Sequence, residues 1–174
     1  LHAHAWDSAK AQKWADPHTG LSPHVWGRAM GWFVMAHADV LNALPKTHPG
    51  YEKLAAQMKS LLDAVMAARG GDLLWHQVMD MPANEENYAE SSCSAMFIYG
   101  LCRGAELGLC GEEAVKAARE SMDALWEKNV VIAADGYPEL TKICKVAGLG
   151  GEPYRSGSYS YYINEVVCSG DTKG

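Results

Sequence analysis

An arginine stands between two tryptophans in the stretch Trp26-Gly27-Arg28-Ala29-Met30-Gly31-Trp32-Phe33. Arginine presents a planar fork that fits a carboxylate with two parallel hydrogen bonds. Flat indole rings suit the apolar faces of a sugar or another planar ligand. Together they describe an anion-binding arginine beside an aromatic platform. The same residues have a plainer reading. Arginine is seldom fully buried unless it is paired, so this is equally a structural Arg–carboxylate pair beside a core tryptophan. Both readings stand on these residues alone. Upstream, His2, His4, Trp6, Asp7, Trp14 and Asp16 crowd a loop, where such groups are costly unless they pack or bind. The histidines show no HExxH or other metal-ligand spacing. No metal and no cofactor are expected. His37 lies among apolar residues at helical spacing and reads as a core histidine.

These residues need elements to position them. Ser22 is a favoured N-cap type and Pro23 suits a first helical position, so the first helix is expected over 22–44, stopped by Pro45. On its wheel Trp26, Met30, Phe33, His37, Val40, Leu41 and Leu44 share one face. Arg28, Trp32 and Met35 share the other, so the helix is expected to be buried on both sides. A one-sided helix follows over 51–69, ended by Gly70-Gly71. A third helix over 90–107 is small or apolar almost all round, and its small residues allow close approach. A fourth over 112–126 is one-sided again, with Glu112 and Glu113 suiting the dipole of its first turn. A glycine-rich loop over 148–151 precedes a fifth, broadly apolar helix from near Ser158.

The order is buried, surface, buried, surface, buried. An ordinary bundle makes all its helices one-sided. Alternation predicts an all-α fold in two concentric layers, an α/α toroid whose long connectors line one mouth. Six hairpins at this repeat need roughly twice this chain. Residues 1–174 are therefore expected to form one partial domain, about half a barrel and incomplete at both ends. Its uncovered apolar face would need the rest of the barrel or another chain.

The 174 residues are 48% hydrophobic and 21% charged with a formal net charge of −6, which argues against a nucleic-acid or anionic membrane partner. Cys93, Cys102, Cys110, Cys144 and Cys168 are odd in number and form no Cys-x-x-Cys pair. Buried free thiols in a reducing compartment, the cytoplasm, are the expectation. Leu1 opens the sequence, so no targeting segment is read from it.

Four patches resemble glycoside hydrolase family 105, the unsaturated rhamnogalacturonyl hydrolases. They are His4-Ala5-Trp6-Asp7; Ser22-Pro23 with Trp26-Gly27-Arg28-Ala29-Met30-Gly31-Trp32; Trp75-His76-Gln77-Val78-Met79-Asp80 with Asn87-Tyr88; and Gly150-Gly151-Glu152-Pro153-Tyr154-Arg155 with Gly157-Ser158-Tyr159. The resemblance implies an (α/α)6 barrel acting on small oligosaccharides that end in an unsaturated galacturonic acid, the product of pectin lyases. The implied chemistry is hydration of the C4–C5 double bond, with an aspartic acid protonating the enol ether. Displacement at the anomeric carbon by two carboxylates does not apply. His4 and Arg28 match the family's substrate-contacting histidine and arginine, and Trp26 and Trp32 its aromatic walls. The family's catalytic aspartate lies upstream of the His-x-Trp-Asp patch. The resemblance therefore leaves the general acid unassigned, and Asp7, Asp16 and Asp80 do not match it. Asp80 and Asn87 read as loop-fixing residues, Tyr154 and Arg155 as either core or site, and Lys173 as a minor substrate contact. Two further functions compete. One is an unsaturated glucuronyl hydrolase acting on glycosaminoglycan fragments, and the other is a non-enzymatic helical-repeat binding module.

Overall fold

Four long helices and a set of short strands make up the computed structural model, which describes residues 2–173. The helices are α1 (Gly27–Ala43), α2 (Tyr51–Ala67), α3 (Ser91–Glu106) and α4 (Glu112–Asn129). A hairpin follows, β1 (Val130–Ile132) antiparallel to β2 (Pro138–Leu140), with Val131 opposite Glu139. Then β3 (Ile143–Cys144) pairs antiparallel with β4 (Val167–Cys168), and the short helix α5 (Tyr159–Ile163) lies between them in sequence.

The centre is α3. Ten of its sixteen residues are buried, against six of seventeen in α2 and seven of eighteen in α4. Glycines set how closely its neighbours approach. A Cβ at Gly100 would overlap Val34 Cγ1 of α1, and one at Gly104 would overlap Leu62 of α2. The main core fills the space between these helices with Val34, Leu41, Met58, Leu61, Leu62, Phe97 and Leu101. Trp75 from the connector is fully buried there, and its Nε1–H donates to Val65 O at 2.7 Å.

Burial of α1 is lopsided, which corrects the two-sided expectation. Met30, Val34, His37, Ala38 and Leu41 face the core together with Arg28. Trp32, Phe33 and Val40 are exposed by 46–53%. The outer surface of α2 is charged, whereas the exposed surface of α1 is aromatic and aliphatic. The two-layer argument survives in that contrast, since α1 buries eight of its seventeen residues and still shows apolar side chains.

Three other expectations need correction. The first helix begins at Gly27, not Ser22. Ser22 caps nothing. Its hydroxyl donates to His24 O at 3.0 Å and lies 3.2 Å from His4 Nδ1. Residues 22–26 stay out of the helix because the connector captures the backbone of 25–27. Trp26 bridges Val78, Gly27 N–H donates to Gln77 O, and Met79 N–H donates to Val25 O. The expected fifth helix stops after five residues, and only Tyr162 in it is buried. Ser158 does cap it by accepting from Tyr161 N–H, but β-branched Val167 leaves for β4. Finally, only Cys93 and Cys144 of the five free thiols are buried, and Cys102 is exposed.

The glycine packing yields a test. Gly100→Ala gains helix propensity of about 1 kcal/mol but forces Cβ into Val34. Net destabilisation of about 1–3 kcal/mol is expected by urea denaturation. Gly71→Ala, in an exposed turn with open space around its Cβ, should leave stability unchanged within about 0.5 kcal/mol.

Candidate active site

Arg28 lies one residue inside α1 and is only 2% exposed. Its Nε–H donates to Ser92 Oγ at 2.8 Å, and its Nη2 donates to Glu90 Oε1 at 3.2 Å and to Cys144 O. Among the described residues, Nη1 makes no hydrogen bond, and it is not one of the fully buried polar atoms without a partner. The guanidinium therefore spends one edge on the protein and keeps the Nη1 N–H pair in reserve. Its Cζ lies 5.7 Å from the Trp26 ring. The structural Arg–carboxylate pair is present, and it leaves donors over for a ligand.

Glu90 was not singled out from the sequence. It is the N-cap of α3, fully buried, and accepts from Cys93 N–H at 2.7 Å. Cys144 N–H reaches Oε1 at 2.9 Å, and the Ser92 hydroxyl lies 2.8 Å from both carboxylate oxygens. A carboxylate at a helix start is favoured by the dipole. Glutamate is not a preferred N-cap type, so cap rules pass over it. The signal that could have found it is the arginine, because a buried guanidinium demands a nearby carboxylate. Burial pushes the Cys93 and Cys144 thiols and the Tyr88 hydroxyl upward in pKa, so these neighbours stay protonated.

Trp26 precedes α1 and is half-buried. Its ring stacks on Tyr162 with centroids 5.9 Å apart. Its Nε1–H donates to Gln77 Oε1 at 3.2 Å, and Gln77 Nε2 donates to Tyr162 O at 3.1 Å. His4 completes this frame. Its Nδ1 accepts from Trp26 N–H at 3.2 Å, so the neutral ring carries its proton on Nε2, which donates to Tyr162 OH at 3.1 Å. Gln77 and Tyr162 are thus parts of the site that sequence reasoning missed. Both lie in apolar runs that read as ordinary core.

His4, Trp26 and Arg28 form one continuous cluster. Trp32 stands apart on the exposed side of α1, but it joins His4 in lining a cavity of about 420 Å³ with Ala29 and Phe33. On its other side Trp32 borders a cavity of about 280 Å³ with Ser92, Met96, Tyr99 and Lys173. Lys173 Nζ lies 2.6 Å from Asp171 Oδ1. A larger groove of about 460 Å³ lies against α4 among Glu112, Lys116, Arg119, Glu120 and Asp123, far from any of these groups in sequence and chemistry.

Other candidates serve the frame. Asp80 accepts from Val25 N–H at 2.8 Å and lies 2.9 Å from His24 Nδ1. The Asn87 side chain clamps Val78 N–H, Val78 O and Met81 O. Arg155 Nε–H donates to Gly150 O and packs its guanidinium on Gly148 and Gly151, which leaves Tyr154 exposed. His37 is buried with Nδ1 3.0 Å from Phe33 O. Asp7 accepts from Ala9, Ala11 and Gln12 N–H, and Asp16 from His18 and Thr19 N–H. These bonds hold both carboxyls below their ordinary range. Among the described residues, no group of three His, Cys, Asp or Glu could hold a metal. No helix there is long and apolar enough to cross a membrane.

Helices in an inner and an outer layer, with tryptophans, an arginine and a histidine gathered where connectors meet an inner helix, define half of an (α/α)6 toroid of the glycoside hydrolase kind. The chain belongs to Glycosyl Hydrolase Family 88, whose model matches residues 1–174. It is 43% identical over 180 residues to Protein Atu3128 of Agrobacterium fabrum, covering all of this chain and 77% of that protein. A family 105 glycoside hydrolase of C. acetobutylicum superposes with a TM-score of 0.95 at 40% identity. That alignment covers 100% of this chain and 49% of the other, so the chain spans about half the length of that structure. The fold also matches an unsaturated glucuronyl hydrolase from Bacillus sp. GL1, with a TM-score of 0.55 at 18% identity over 86% of this chain and 43% of that one.

Burial holds the pKa of His4 below its ordinary 6.5. The folded state therefore favours the neutral ring, and the unfolded chain takes up the proton first as pH falls. His4 contributes its full stability above about pH 6.5 and loses it as pH drops through the lower folded value. The unfolding free energy of the native chain should fall between pH 7 and pH 5 more steeply than that of His4→Gln. Equal slopes in urea titrations at the two pH values would refute this.

Proposed function

We propose that the protein acts on oligosaccharides whose non-reducing end is an unsaturated galacturonic acid, and that it hydrates the C4–C5 double bond. The observation that carries this reading is Arg28, a buried arginine with one unspent N–H pair beside Trp26. An unsaturated uronic acid is a flat, conjugated ring carrying one carboxylate. Arg28 supplies the donors for that carboxylate, Trp26 and Trp32 supply ring faces, and His4 fixes the Trp26 backbone. The 40% identity to a family 105 glycoside hydrolase supports a glycosidase.

In the proposed reaction a carboxylic acid delivers its proton to C4. Water then adds at C5 and returns a proton to the carboxylate, giving a hemiketal; ring opening leaves a C5 ketone and a C1 hemiacetal, whose breakdown to an aldehyde releases the neighbouring sugar. A general acid for this step needs a pKa near the working pH. Asp7 and Asp16 are held in the opposite direction, and Asp80 is engaged by His24 and Val25. None of the three is assigned as the acid. Turnover by the 174-residue chain alone is accordingly expected to be about 10²–10⁴-fold below that of a full-length enzyme that supplies a positioned acid.

The assay follows the ultraviolet absorbance of the conjugated enol acid. Pectin-derived and chondroitin-derived unsaturated disaccharides are run side by side on the full-length protein, and the pectin-derived one should be consumed faster. A reversed preference would favour the glucuronyl hydrolase reading, and loss of neither would favour a binding module. Trp32 is 53% exposed, so Trp32→Ala should leave the melting temperature unchanged. It should raise KM by about three- to tenfold through loss of ring contact.

A further inference from the structure

We infer that Glu90 is the positioning residue for substrate binding. Its bond takes up the Nη2 side of Arg28, so that among the described residues Nη1 alone keeps donors for a ligand. This rests on the reading of Arg28 as the carboxylate contact. A guanidinium on a flexible side chain has two usable edges and many rotamers, and an arginine free to choose among them would lose entropy on every binding event. Here the choice is made in advance. Ser92 Oγ takes Nε–H, while Glu90 Oε1 and Cys144 O take the two hydrogens of Nη2. What remains is the Nη1 nitrogen at a fixed place, with two N–H donors that diverge from it.

Glu90 is itself immobile. The first turn of α3 holds it through Cys93 N–H, β3 through Cys144 N–H, and Ser92 through its hydroxyl. The carboxylate therefore joins α1, α3 and β3 at one point. It neutralises Arg28 only in part for a ligand, because its oxygens are directed at the Nη2 edge. A rigid pair of this kind orients without competing for the Nη1 donors. Glu90 does not touch substrate, and it acts through the arginine.

The test uses two variants that separate orientation from helix capping. Glu90→Asp keeps a favoured N-cap for Cys93 N–H but shortens the reach to Arg28 by one methylene. Glu90→Gln keeps the length and removes the charge. The probes are an unsaturated galacturonyl–rhamnose disaccharide and its methyl ester, with binding measured on the full-length protein by calorimetry. The native protein should prefer the acid. In both variants the acid should lose about tenfold or more in affinity, as expected when a charge-assisted contact is misplaced, while the ester changes little. Nitrogen-15 spectra of Arg28 provide a readout that needs no ligand. The native protein should show separate Nη1 and Nη2 signals, which merge in Glu90→Asp as the side chain begins to rotate.

Parallel losses for acid and ester would show Glu90 to be merely structural and would overturn the inference. So would separate Nη signals and an intact acid preference in Glu90→Asp. If the native protein does not prefer the acid, the carboxylate reading of Arg28 fails, and with it the substrate-binding role given to Glu90. Should Glu90→Gln not fold, Ser92→Ala takes its place. It removes the Nε acceptor, leaves the cap, and should show the same loss for the acid to a smaller degree.

Discussion

One buried ion pair ties three elements of this fold together. Arg28 and Glu90 are almost wholly removed from water, at 3% and 0% side-chain exposure. Desolvating two charges is expensive, and a well-packed apolar pair of similar volume is often as stable. Breaking the pair is another matter, since it strands one charge and costs about 3–5 kcal/mol. Three elements meet there. The start of α1 brings the arginine, the cap of α3 brings the carboxylate, and β3 contributes a carbonyl and an N–H. A pair that adds little net stability but fixes a cation in space is what a binding site needs and what a core does not.

Around this point the architecture is uneven for a reason. Helix α3 is the most buried of the long helices and carries glycines where its neighbours come closest. Helix α1 is wrapped on one side only, and its open side holds Trp32, Phe33 and Val40 beside two cavities. In a toroid the inner face of an inner helix looks toward the lumen and toward the neighbouring hairpins. Half of such a ring shows that face, consistent with the 49% coverage of the family 105 structure. The apolar surface of α1 and the wall of the two cavities are then the same surface at Trp32.

Much of this was legible in the residues. The alternation of two-sided and one-sided helices pointed to two layers, and the ends of α2 and α3 fell within about two residues of the expectation. His37 as a core histidine, and Asp80 and Asn87 as loop anchors, followed from residue type and setting. What failed did so through tertiary capture. Ser22-Pro23 has the local chemistry of a helix start, but strand-like pairing of 25–27 with 77–79 outbids it. The tyrosine run after Ser158 has the periodicity of a helix, but β3 claims its continuation. Glu90 and Gln77 were invisible because their partners are 62 and 51 residues away, at Arg28 and Trp26. No window of sequence holds both members of either pair.

The link between His4 and Tyr162 spans 158 residues of sequence. Trp26 rests on Tyr162, and Gln77 reaches across to the Tyr162 carbonyl. The indole plane is therefore set by a residue that leaves the ribosome long after the helices around it. While the chain is being made, α1 to α4 can collapse on the contacts they share, but the aromatic wall has no backing. That wall is completed only when two segments 158 residues apart in sequence meet. Non-local closure of this kind is slow relative to helix packing. Packing of the helices and completion of the aromatic wall are thus separable steps, the second resting on contacts far apart in sequence.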